Sequence, residues 1–86
     1  MARRDGFDIV ADILIAVRDA GGKLKPTHVM YKANLSYPQL KRFLEELKVK
    51  GLVELADEVV ITGKGYDFIE QYLKAKAFEE SFGLEV

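Results

Sequence analysis

The chain has 86 residues, 49% of them apolar and 31% charged, with a formal net charge of −1, which is the composition of one soluble globular domain. It contains no cysteine and one histidine, which excludes a disulfide framework and a thiolate metal site, and we expect neither a metal nor another cofactor. No apolar run approaches the roughly 20 residues that cross a bilayer, and the first residues lack a signal-peptide core, so the sequence predicts a cytoplasmic protein.

Asp5 and Asp8 have the spacing of residues that cap a first helix, which Gly21-Gly22 then ends. Four apolar residues at helical spacing form its buried stripe: Val10, Ile13, Leu14 and Val17. Ile15 points away from this stripe, so we expect its side chain to be exposed. Two arginines precede the cap and are expected to form part of a frayed terminus: Arg3 and Arg4. The alternative is that they reach a phosphate.

The following segment has the pattern of a helix-turn-helix. Lys23-Leu24-Lys25 predicts one edge bridge of a small sheet, and Pro26 is typical of the first turn of a helix. Asn34 tolerates the left-handed conformation at the end of this second helix. A three-residue turn over 34–36 leads into the next helix, and we expect Leu35 to fill the space beneath it.

Ser36 and Gln39 have the spacing of a capping box, which predicts a third helix over residues 37–50, ended by Gly51. Its buried face carries four residues at i, i+3, i+4 and i+7: Leu40, Phe43, Leu44 and Leu47. The opposite side is mostly basic: Lys41, Arg42, Glu45, Lys48 and Val49. This outward side is the best candidate for a functional surface, and a solvated helix face without a role is the alternative.

Two aliphatic strands over residues 52–61 surround Asp57-Glu58 and predict a small hairpin, after which Thr62 caps a last helix over 63–82. This helix has two apolar stripes. One comprises Tyr66, Ile69, Leu73 and Ala77, and the other comprises Phe68, Tyr72, Ala75, Phe78 and Phe82. One stripe suffices to cover the core, so we predict that the second forms the interface of a homodimer. The alternative is that both stripes pack on the monomer.

The order helix, short strand, helix, helix, strand, strand, helix is that of a mainly α domain with a small β-hairpin, and it spans residues 1–86. The sequence resembles the small archaeal winged helix-turn-helix family of candidate DNA-binding transcriptional regulators over residues 4–74. Its most specific matches are THVMYKANLS at 27–36, KGL at 50–52 and the ITxKG pattern at 61–65.

This resemblance implies a DNA-binding protein that places residues 37–48 in the major groove and uses the hairpin as a wing. Some members of the family are abundant chromosomal proteins that dimerise through an antiparallel C-terminal coiled coil. The resemblance therefore implies double-stranded DNA and a second copy of the chain as partners, a role in transcription regulation, and association with the nucleoid.

The distribution of charge agrees with a polyanionic partner. Residues 18–50 contain eight Lys or Arg against three Asp or Glu, whereas residues 51–86 contain three against eight. Candidates for phosphate contacts are Lys25, Lys32, Lys41, Arg42 and Lys48, together with Thr27 and His28 at the positive end of the second helix. Candidates for base contacts are Tyr37, Gln39 and Arg42. For His28 the alternative is a surface histidine without a role.

The acidic hairpin tip favours a second hypothesis, because Asp57-Glu58 would be repelled by a phosphate backbone. In that hypothesis the chain is a winged-helix module that binds a basic protein partner and no DNA. An enzyme is the least supported class, since the carboxylates are predicted on exposed faces and do not converge with a base or nucleophile in a cleft.

Overall fold

The structure, a computed structural model, describes residues 4–83. Within this range the elements follow the predicted order: α1 (Gly6–Asp19), β1 (Lys23–Leu24), α2 (Pro26–Ala33), α3 (Tyr37–Val49), β2 (Val53–Leu55), β3 (Val59–Ile61) and α4 (Gly63–Ser81). The mainly α fold with a small antiparallel sheet is therefore confirmed. None of the helices in residues 4–83 has both the length and the apolar character needed to cross a bilayer.

Three of the four helices, α1, α3 and α4, begin with a side chain that accepts a backbone N–H. Asp5 and Asp8 form a capping box at α1, and Ser36 and Gln39 form a second one at α3. At α4 the hydroxyl of Thr62 accepts the backbone N–H of Gly65 at 3.1 Å. These caps satisfy backbone donors that have no partner within their own helix, and all of them follow from local sequence.

Two left-handed residues end the helices of the helix-turn-helix. Asn34 has φ 56° and ψ 55° after α2, and Gly51 has φ 77° after α3. Between the helices, the Leu35 side chain is buried in the core as predicted. The turn from α2 to α3 is therefore fixed by backbone conformation and by an apolar anchor.

The sheet has the strand order β1-β3-β2, with both pairs antiparallel. Val53 pairs with Ile61 and Leu55 with Val59, so the hairpin closes over residues 56–58. Because Val53, Val59 and Ile61 are buried, the sheet is held against the helices rather than projecting freely. The edge bridge expected near residue 24 is present, since Lys23 pairs with Val60.

Helix α1 is covered on two sides. Ile13, Leu14 and Val17 lie in the core. Ala11 is also fully buried, and Ile15 is half-buried and packs against the core. The expectation that Ile15 is exposed was therefore wrong. Phe7, Ala11 and Ile15 repeat every four residues along α1, and Phe7 stacks on Phe68 of α4 at 5.3 Å, so this line of residues faces the last helix.

The expectation of a frayed arginine was also wrong for Arg4. Its guanidinium donates hydrogen bonds to the carbonyl oxygens of Ala33 and Asn34 and pairs with Asp12 of α1 at 3.0 Å. Local sequence patterns do not indicate these contacts, because Arg4 lies 29 and 30 residues before its carbonyl partners. Arg3 lies outside the described residues.

Candidate nucleic-acid interface

The outward side of α3 is positioned by the three residues that anchor the helix. Leu40, Leu44 and Leu47 are buried, which fixes the rotation of α3 and turns its opposite side to solvent. Phe43, predicted to be buried with them, is only half-buried. The three cations predicted on the outward side are all exposed: Lys41, Arg42 and Lys48.

One flank of α3 is electrically neutral. Lys50 pairs with Glu46 at 2.9 Å, and both residues line a groove that α3 shares with Phe7 of α1 and Phe68 of α4. This flank therefore faces the other helices of the domain. Since Lys50 offsets the charge of Glu46, the two residues add nothing to the net charge of the outward side.

The remaining outward side carries an excess of positive charge. Lys41, Arg42 and Lys48 stand against Glu45 alone, and none of these cations has an ion-pair partner within 4 Å among residues 4–83. The guanidinium carbon of Arg42 lies 5.8 Å from the centre of the Phe43 ring. A cation–π contact of this kind orients the guanidinium without using its N–H donors, which stay accessible to a partner.

Gln39 has a structural task at the start of this helix. Its Oε1 accepts hydrogen bonds from the backbone N–H of Ser36 at 2.9 Å and from the Ser36 hydroxyl at 3.1 Å. A bidentate contact with adenine would need this oxygen as well as the amide nitrogen. Gln39 must therefore leave the capping box before it can contact a base, whereas Tyr37, 63% exposed, has no such constraint.

The predicted phosphate-binding residues of α2 are exposed at both ends of that helix. Thr27 and His28 lie in its first turn, where the N-cap residue Lys25 provides no side-chain hydrogen bond. Backbone N–H groups at such an end carry partial positive charge and can bind an anion. Lys32 is exposed in the last turn. The sequence did not single out Tyr31, whose side chain is 72% exposed on the same helix.

The hairpin differs in charge from α3. Its exposed carboxylates, Glu54 and Asp57, have no ion-pair partner in the described part of the chain, and Glu58 is half-buried beside them. The tip is short, since the backbone N–H of Ala56 donates to the carbonyl of Glu58 at 3.1 Å. A basic helix thus lies next in sequence to an acidic hairpin.

The predicted dimer residues of α4 fall into two groups. Phe68 and Tyr72 are half-buried and stack on Phe7 of the same chain. Their ring centres lie 5.3 Å and 6.4 Å from the ring centre of Phe7. Ala75, Phe78 and Phe82 are exposed, and the last two rings lie 4.8 Å apart. Phe7, which is 62% exposed, was missed, although its spacing of four and eight from Ala11 and Ile15 indicates a shared face.

Tyr72 also binds α1 through a polar contact. Its hydroxyl donates to Oδ1 of Asp8 at 2.6 Å, and the ammonium of Lys76 lies 3.4 Å from the same oxygen. The hydrogen bond from Tyr72 holds the pKa of Asp8 below its usual value. Burial raises the pKa of Tyr72, and the hydrogen bond to Asp8 raises it further. These bonds fix the first half of α4 against α1.

A helix-turn-helix followed by an antiparallel hairpin, with an exposed basic second helix, defines a winged helix-turn-helix protein. The family model described as winged helix-turn-helix matches residues 3–80. The chain therefore belongs to the winged helix-turn-helix family, and the resemblance drawn from its sequence is confirmed.

Two solved structures share this fold. Sso10a-2, a DNA-binding protein from Sulfolobus solfataricus, is 27% identical with a TM-score of 0.71, and the match covers 93% of this chain and 90% of that one. A candidate transcriptional regulator from Pseudomonas aeruginosa PA01 is 18% identical with a TM-score of 0.66, covering 93% and 73% of the two chains. The second likeness concerns the fold alone. A search among curated proteins gave no match.

Proposed function

We propose that this protein binds double-stranded DNA as a transcription regulator and inserts α3 into the major groove. The observation that carries the proposal is the unpaired positive charge on the outward side of a helix whose rotation is fixed by the core. The DNA-binding protein Sso10a-2, similar over most of both chains, supports it. We further propose a cytoplasmic, nucleoid-associated location and no enzymatic activity.

The exposed side chains divide into two roles. Lys25, Lys32, Lys41 and Lys48 would neutralise phosphates, and Thr27 and His28 would bind a phosphate at the start of α2. Arg42 and Tyr37 would contact base edges, Arg42 through a bidentate hydrogen bond to guanine. Gln39 would contribute only after releasing Ser36.

We propose that the active form is a homodimer joined through the stripe of Phe68, Tyr72, Ala75, Phe78 and Phe82, of which the last three are exposed in the monomer. In an antiparallel pair of helices with its two-fold axis at Ala75, Phe68 meets the partner's Phe82 and Tyr72 meets the partner's Phe78, because each pair is equally spaced about the axis. Alanine at the crossing point allows the two backbones to approach closely. Helix-turn-helix dimers of this kind bind two half-sites.

Titration of the protein with a random-sequence duplex at several salt concentrations tests DNA binding. We expect micromolar or tighter binding at low salt that weakens steeply as salt rises, because counterions are released from the phosphates. Lys41→Ala should weaken binding to all sequences alike and reduce the salt slope by about 1. Arg42→Ala should relax sequence preference in a selection from a random pool.

Lys74→Ala is the matched control, because Lys74 is an exposed lysine on α4 that pairs with Glu70 at 3.1 Å. It should leave affinity and salt slope unchanged. Absence of binding by the unmodified protein at low salt would contradict DNA binding, and equal losses from Arg42→Ala on selected and random duplexes would contradict its proposed base contact.

The acidic hairpin supports a second candidate function, a module that binds a basic protein partner. Glu54 and Asp57 are exposed and have no ion-pair partner in residues 4–83. If the duplex titration shows no binding, this function becomes the favoured one. Replacing both carboxylates by amides should then abolish binding of the basic partner.

A further inference from the structure

The turn between α2 and α3 is held by one side chain that comes from the start of the chain. Arg4 lies on the segment before α1, yet one of its terminal nitrogens donates to the carbonyl of Ala33 and the other donates to the carbonyl of Asn34 at 3.1 Å. The nitrogen bound to Ala33 also pairs with Asp12 of α1 at 3.0 Å. One guanidinium therefore joins α1 to the end of α2.

Two backbone N–H groups of this turn have partners of their own. The N–H of Leu35 donates to the carbonyl of Met30 at 3.0 Å, which closes the end of α2. The N–H of Ser36 donates to Gln39 at the start of α3. The backbone hydrogen bonds that end α2 do not reach the carbonyls of Ala33 and Asn34. Arg4 donates a hydrogen bond to each of these carbonyls.

A small rotation at this turn becomes a large displacement along α3. The helix has 13 residues and is about 20 Å long at 1.5 Å per residue. A tilt of about 10° at its first residue would move Arg42, about 7.5 Å along the helix, by about 1.3 Å, more than a directed hydrogen bond to a base edge tolerates. The direction of α3 thus depends on the bonds that hold the turn.

We infer that Arg4 is a positioning residue for DNA binding, which fixes the direction of α3 without itself contacting DNA. The inference rests on the proposed function and goes beyond it, because Arg4 is bound to α2 and α1 and lies outside the outward side of α3. Lysine cannot replace it, since a single ammonium cannot hold two successive carbonyls and a carboxylate in the same fork geometry.

The test compares Arg4→Ala and Arg4→Lys with Arg18→Ala. Arg18 is the matched control because it is an arginine of similar exposure that pairs with Asp19 at 3.0 Å and, within residues 4–83, forms no hydrogen bond or ion pair with α2. Duplex affinity and salt slope are measured at a temperature where all variants are folded. Amide hydrogen exchange at Asn34 and Leu35 is measured without DNA.

We expect Arg4→Ala to weaken duplex binding at least about fivefold with an unchanged salt slope, and to speed exchange at both amides. The Arg4→Lys variant should have a duplex affinity and amide exchange rates close to those of Arg4→Ala. The Arg18→Ala variant should match the unmodified protein in both. A salt slope lower by about 1 would instead identify a phosphate contact and overturn the inference. Unchanged exchange, or equal affinity of the Arg4→Ala and Arg18→Ala variants, would overturn it as well.

The failure of the proposed function is separate from these outcomes. If the unmodified protein binds no duplex at low salt, DNA binding itself fails, and the positioning role for DNA fails with it. If the unmodified protein binds and the Arg4 variants behave like the control, only the positioning role is wrong.

Discussion

Gly65 allows α4 to pack closely on Leu52 and on Ile61 of β3. It is buried in the first turn of α4, and a Cβ atom there would collide with the backbone carbonyl of Leu52 and lie 2.7 Å from a side-chain carbon of Ile61. A backbone carbonyl cannot move aside as the end of a flexible side chain can. Glycine is therefore required by the close approach of two elements.

We expect Gly65→Ala to lower the free energy of unfolding by about 1–3 kcal/mol, the usual cost of overpacking. Gly63→Ala is the control two residues away, since a Cβ atom there meets nothing within 4 Å. It should be neutral or stabilising by about 0.5 kcal/mol, because alanine reduces the entropy of the unfolded chain. Urea unfolding followed by circular dichroism measures both, and equal stability of the two variants would contradict the packing described for α4.

The hydrogen bond from Tyr72 to Asp8 links stability to acidic pH. Because this bond lowers the pKa of Asp8 below its ordinary value of 3.8, Asp8 stabilises the fold at higher pH, and this contribution is lost as pH falls through its folded pKa. Tyr72→Phe should raise the pKa of Asp8, reduce this loss in acid, and cost about 1 kcal/mol at neutral pH.

A carboxyl titration by NMR and urea unfolding between pH 2 and 7 measure these effects. Tyr66→Phe is the control, since the Tyr66 hydroxyl is on the same helix and forms no hydrogen bond within residues 4–83. The pKa of Asp8 should be unchanged in that variant. If the pKa of Asp8 is the same in the Tyr72→Phe variant as in the unmodified protein, the hydrogen bond does not govern the titration of Asp8.

At the scale of elements, the end of α2 depends on a residue that accepts positive φ. Asn34 has φ 56°, a conformation that alanine adopts at a cost and glycine adopts freely. We expect Asn34→Ala to destabilise the protein by about 1 kcal/mol and Asn34→Gly to be close to neutral. Thermal unfolding of the two variants measures the difference, and equal melting temperatures would mean that the turn relaxes to another conformation.

The elements themselves could be predicted because their signals are local. The capping pairs Asp5 with Asp8 and Ser36 with Gln39 lie three residues apart, and Asn34 and Gly51 mark helix ends by their own conformational preference. The contacts between elements could not be predicted in the same way. Arg4 and its carbonyl partners, or Tyr72 and Asp8, are distant in sequence, and no periodicity connects them.

The candidate site shows the same division. The exposed cations of α3 follow from helical spacing, because buried leucines determine which residues face outward. The capping box that holds Gln39 also follows from local spacing, and it is in conflict with the predicted base contact of Gln39. That the Glu46–Lys50 pair lies on the flank facing α1 and α4 depends on the neighbouring helices. These details change which residues are the best candidates for base contacts.

At the scale of the whole molecule, the end of α4 exposes aromatic side chains that no other part of the described chain covers. Phe78 and Phe82 are 59% and 64% exposed. If they form the dimer interface, replacing both by serine should yield a folded monomer, because neither side chain is buried in the domain. Light scattering measures the mass, and circular dichroism verifies the fold.

Leu73→Ser is the control for this experiment, since Leu73 is 46% exposed but lies on another side of α4. It should keep the mass of a dimer. A dimer that survives the double replacement of Phe78 and Phe82 would contradict the proposed interface, as would a monomeric unmodified protein.

The hydrogen bond between Tyr72 and Asp8 also has a consequence for how the chain reaches its folded state. It joins residues 64 positions apart, so the docking of α4 on α1 closes a loop that includes most of the chain. Closing a loop costs more entropy as its length grows, whereas the turn between α2 and α3 and the hairpin close over a few residues each. Because the docking of the first helix on the last raises the contact order, we expect it to slow folding.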